Sequence, residues 1–116
     1  MVEARDRLAT ARMALEAGFA PAATSLAYYA MLYAARAALS EHDRYAKTHR
    51  GTWDLFFEVV VASGAVDEGL ASSARRTQPR REASDYDAAR IPMEEGRGIV
   101  DLAGRFVAAV DELLAG

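Results

Sequence analysis

The run from Ala22 to Leu39, AATSLAYYAMLYAARAAL, is too apolar to be the surface helix of a small globular chain. Arg36 is its only strongly polar member, and Tyr28, Tyr29 and Tyr33 each carry a hydroxyl that needs a partner once buried. A helix apolar around most of its circumference either crosses a membrane or forms the centre of a helical bundle. A span needs about 20 predominantly apolar residues. Arg36, Thr24, Ser25 and the many alanines weaken that reading, and a lone span would leave the apolar faces of the other segments uncovered. The run therefore predicts the buried centre of a bundle and no membrane association.

The 116 residues fit one domain, residues 1–116, long enough to enclose a core. The absence of cysteine excludes a disulfide framework and a thiolate zinc site, and fits a reducing compartment. Glu3, Arg5, Asp6, Arg7 and Arg12 are interspersed from the start, unlike a secretory leader. These features point to the cytoplasm.

Periodicity is helical almost everywhere, and five segments emerge. The first runs from Val2 to Ala17, with Leu8, Ala11 and Leu15 on one face and Gly18 as its stop. Pro21 opens the second, which reaches about Glu41. Thr48 caps a third helix carrying Trp53, Phe56, Phe57, Val60 and Val61, which ends at Gly64. Asp67 caps a fourth that runs through Leu70 and Ala74 toward Pro79, where the chain breaks and SDYDAARI reads as a loop. Pro92 opens the last helix, whose apolar stripe is Ile99, Leu102, Phe106, Val110 and Leu113.

A net charge of −3 excludes a uniformly basic nucleic-acid binder, yet cations cluster locally. Arg44, Lys47 and Arg50 oppose only Asp43, and Arg75, Arg76, Arg80 and Arg81 crowd together. Neither a glycine-rich phosphate loop nor a metal-ligand spacing is present, so no cofactor and no metal are expected. In Lys47-Thr48-His49-Arg50-Gly51, two cations flank an imidazole at a helix start. Such a place can hold a phosphate, or support acid–base cleavage of a phosphodiester; equally, His49 can simply cap and pack the third helix. Arg80-Arg81-Glu82-Ala83-Ser84-Asp85-Tyr86-Asp87 mixes donors, acceptors and a phenol, which suits phosphate or nucleobase recognition, or the fastening of a loop to the bundle.

Taken together, SLAYYAMLYAARAAL, KTHRG and RREASDYD resemble, in order and spacing, a branch of the HEPN family found in prokaryotic toxin–antitoxin, defence and nucleotidyltransferase-associated systems. That branch has a YYAMF-like central helix, a KTH-x-G turn and an R-x-x-ADY segment before the last helix. The resemblance covers residues 3–114. It implies an all-α fold, an antiparallel four- to five-helix up-and-down bundle, often dimeric.

Active HEPN members are metal-independent ribonucleases in which arginine and histidine of an R-x(4–6)-H motif line a cleft shared by two protomers. That motif normally lies late in the chain, but here no histidine follows His49. Arg44 and His49 satisfy the spacing from the turn after the second helix, which makes them the candidate catalytic pair. Lys47, Arg50, Arg80, Arg81, Asp85 and Tyr86 are the candidate RNA- or nucleotide-binding residues.

Two functions follow from the resemblance. One is a non-catalytic regulatory subunit of a minimal nucleotidyltransferase, binding RNA or a nucleotide, with that enzyme or a cognate antitoxin as its partner. The alternative is an endoribonuclease toxin acting through a composite dimer cleft. A homodimer is expected in both, because an alanine-rich bundle with apolar terminal helices has a face to bury against its twin.

Overall fold

In the computed structural model, which describes residues 1–87 and 91–116, six α-helices and one π-helical turn account for nearly all of the backbone. They are α1 (Val2–Glu16), α2 (Ala20–Ser40), α3 (His49–Phe56), the π-turn (Phe57–Val61), α4 (Glu68–Arg75), α5 (Gln78–Tyr86) and α6 (Met93–Ala115). The fold is an all-helical HEPN-like bundle with no strand among the described residues.

The apolar run is α2, and it is the hub: α1, α3, α5 and α6 all pack against it. Ala23, Ala27, Ala30, Ala34, Ala35 and Ala38 are fully buried, so neighbouring backbones approach closely with little side chain between them. Large side chains then fill the space beyond this seam. Trp53 and Phe56 of α3 meet Phe106 of α6 with ring centroids 5.5–6.0 Å apart, in tilted and edge-on arrangements favoured by aromatic quadrupoles. Tyr28, completely buried, bonds across helices by accepting from Trp53 Nε1 at 3.1 Å. No helix among the described residues is long and apolar enough to cross a membrane.

Helix ends follow local chemistry. Gly18 adopts φ +87°, and the Phe19 amide donates to Ala14 O at 2.9 Å, a left-handed stop that closes α1. Thr48 Oγ1 accepts from the Gly51 amide at 2.9 Å, and an Asp67 carboxylate oxygen accepts from the Leu70 amide at 2.9 Å. A Cβ added at Gly51 would sit 2.8 Å from Thr48 Oγ1. Thr48→Ala, which removes the cap itself, should lower stability by about 1 kcal/mol, measured by urea denaturation. An unchanged midpoint would mean that Thr48 does not hold α3.

The structure corrects the reading around Pro79. Ser84, Asp85 and Tyr86 are not loop but the last turn of α5. Pro79 sits in the first turn of a new helix, where its missing amide hydrogen costs no intrahelical bond. Arg81 donates to Asp85 at 2.9 Å in an i,i+4 pair that supports this helix. Ala88, Ala89 and Arg90 of the expected loop lie outside the described residues. The stripe on α6 stands, with Ile99, Phe106 and Val110 buried and Leu102 and Leu113 half-buried.

Candidate functional site

Thr48 caps α3 and so makes His49 its first residue, while Arg81 lies one turn into α5; both helices pack on α2. Two neighbouring tyrosines of α2 receive them. The His49 ring lies 5.7 Å from each of the Tyr28 and Tyr29 rings, and the Arg81 guanidinium stands 5.8 Å and 5.5 Å from the same two rings. The contacts are cation–π for Arg81 and tilted or edge-on for His49. Thus the KTHRG and RREASDYD segments meet on one aromatic platform.

Hydrogen bonding ties this platform together. Tyr28 Oη accepts from Trp53 Nε1 and lies 3.4 Å from His49 Nδ1. A phenol oxygen that accepts from the indole can still donate to Nδ1 or accept from an Nδ1–H, so the contact positions the imidazole and the tautomer sets which group donates. Burial raises the Tyr28 pKa, which keeps the phenol proton in place, although Trp53 and Arg81 oppose the shift.

The His49 pKa is lowered, first by burial and then by the nearby charges of Arg81 and Arg36, with Glu82 opposing. The folded protein therefore binds this proton less readily than the unfolded chain does. Stability attributable to the site is fully present above the ordinary histidine value and declines as pH falls through it toward the lowered folded value. Thermal melts of the wild type should lose more on acidification over that window than those of His49→Gln. Parallel pH profiles for the two proteins would refute it.

Around the platform the charges are partly matched. Arg81 donates to Asp85 and approaches Glu82 at 3.8 Å, while its Nε is buried with no hydrogen-bond partner among the described residues. Arg36 Nε donates to Thr52 Oγ1 at 3.4 Å, and Thr52 donates to Thr48 O at 2.8 Å, which ties α2 to the start of α3.

Other candidates lie apart. Arg80 forks onto Glu95 of α6 with bonds of 2.7 and 2.9 Å, which fastens α5 to α6. Tyr86 is 90% exposed at the end of α5. Arg44 is exposed and lines a cavity with Arg36, Leu39, Ser40, Tyr45 and Ala46. Lys47 and Arg50 are exposed on either side of His49. Sequence reasoning missed Tyr29, Trp53 and Arg36 as parts of the site, and assigned Tyr28 to the core alone. The adjacent tyrosines in the central helix were the available signal.

Comparison with known proteins agrees with this architecture. A UPF0332 protein of Archaeoglobus fulgidus is 40% identical over 76 residues, covering 66% of this chain and 60% of that protein. The chain thus aligns with somewhat less than two thirds of that relative's length. A UPF0332 protein of Gloeobacter violaceus is 27% identical over 117 aligned positions, covering 99% of this chain and 93% of the relative. The HEPN domain family matches residues 1–113, almost the whole length, and the chain belongs to that family.

Proposed function

We propose that this HEPN-domain chain is a non-catalytic partner subunit of a minimal nucleotidyltransferase in a toxin–antitoxin or defence setting, and that its His49–Arg81 platform binds a phosphate-bearing nucleotide or RNA. One observation carries the reading: His49 and Arg81 share the Tyr28 and Tyr29 rings, which sets an imidazole beside a guanidinium on one platform. A ring N–H donor and a guanidinium make a pair suited to holding an anion. The R-x(4)-H spacing of Arg44 and His49 falls in the turn after α2 and not before the last helix, where active members carry it, which supports the non-catalytic reading.

The test is co-expression with the nucleotidyltransferase encoded nearest the gene, followed by calorimetric titration of the purified chain with ATP and short single-stranded RNA. Co-purification, ligand binding and intact RNA are expected. RNA cleavage that disappears in His49→Ala would overturn the non-catalytic assignment in favour of the endoribonuclease. Failure of the two proteins to associate would overturn the partner assignment.

A further inference from the structure

Beside the platform, but outside it, lies a groove of about 480 Å³ bounded by Arg50, Arg75, Arg76, Gln78, Pro79 and Glu82. Three helices build it: Arg50 comes from the first turn of α3, Arg75 and Arg76 from the end of α4, and Gln78 and Pro79 from the start of α5. The three cations differ in their circumstances. Arg75 is paired with Asp54, and its guanidinium lies 5.7 Å from the Phe57 ring, so it is held in place. Glu82, the one carboxylate in the wall, is 3.8 Å from Arg81. Arg50 and Arg76 are exposed and make no ion pair among the described residues.

Ordinary helix electrostatics accounts for only part of this. Arg75 and Arg76 at the C-terminal end of α4 suit its dipole. Arg50 does not, because a cation in the first turn of α3 faces the positive end of that helix. Two unmatched guanidinium groups lining one cavity also repel each other. An anion between them would remove both penalties. A single carboxylate would match one arginine, whereas the groove offers two uncompensated charges and a third cation already oriented.

We infer that the Arg50–Arg75–Arg76 groove is a second anion site, separate from the His49 platform, that takes consecutive phosphate groups. Those phosphates belong either to the triphosphate of a nucleotide or to the backbone of single-stranded RNA. The guanidinium forks supply charge-assisted bonds to the oxygens, and the arginine stems and Pro79 supply the apolar floor. Glu82 stands on the boundary of the groove and approaches Arg81, which makes the two sites neighbours.

The full-length chain should be titrated calorimetrically with inorganic triphosphate, ATP, short single-stranded RNA and poly-glutamate. The Arg50→Gln/Arg76→Gln protein should bind the phosphate ligands about tenfold or more weakly. Arg97→Gln/Arg105→Gln, which removes the same charge from exposed positions on α6, should bind as the wild type does. Circular dichroism establishes that both variants are folded. Triphosphate and ATP binding without RNA binding identifies the nucleotide as the source of the phosphates, and RNA binding without triphosphate binding identifies the backbone. Equal weakening by the α6 control, poly-glutamate binding as tight as that of phosphate, or no binding of any phosphate ligand would overturn the inference. RNA or ATP binding lost on Arg81→Ala but unaffected by Arg50→Gln/Arg76→Gln would leave the platform reading intact and overturn the groove alone.

Discussion

Trp53→Ala is expected to lower the free energy of unfolding by about 3–5 kcal/mol, enough to unfold a marginal domain at room temperature. Trp53 is fully buried where α3 meets α6, with Phe56 at 6.0 Å and Phe106 at 5.7 Å. Neither ring can collapse into the space without losing the other, so much of the indole volume would persist as a cavity. Trp53→Phe separates the two contributions of the residue. It keeps most of the packing and removes the donor to Tyr28, a loss of about 1 kcal/mol. Urea denaturation followed by circular dichroism measures both. If Trp53→Ala cost no more than Trp53→Phe, the aromatic cluster would not be the keystone described above.

Arg81→Ala has the largest expected effect on ligand binding. Its side chain is only 16% exposed, lies over two tyrosine rings and supplies the platform's cation. Its loss should weaken nucleotide or RNA binding by about tenfold to a hundredfold. A second readout separates this from damage to the fold. Arg81 is the strongest charge lowering the His49 pKa, so removing it should move the His49 titration upward, toward the ordinary value. Arg81→Lys keeps the charge without the planar fork, and should retain the lowered titration while still binding less well. Wild-type affinity in Arg81→Ala would remove the platform from the binding function.

Much of this fold is written in local signals. The buried run of α2, the stop at Gly18, the caps Thr48 and Asp67 and the stripe of α6 each follow from one helix's own chemistry. The second half of the arginine-rich stretch was harder to read, because a proline that breaks one helix also suits the first turn of the next. Only the packing of α5 on α2 decides between those outcomes.

The site divides in the same way. His49 and Arg81 were identifiable as candidates from their segments, but their shared seat on Tyr28 and Tyr29 is a property of three helices at once. Arg44 and His49 are paired by spacing alone, and between them and α2 the chain passes the turn at Asp43, whose φ is +54°, before α3 begins at His49.

The bond from Trp53 to Tyr28 has one more consequence. Trp53 is the chain's single tryptophan, and its indole is two hydrogen bonds from His49 Nδ1. The molecule thus carries an intrinsic fluorophore wired to its own candidate site. Protonation of the imidazole, or an anion settling against Arg81, alters the field at Tyr28 and so the emission of the indole. Occupancy of the platform can be followed in the unlabelled, unmutated protein by light alone.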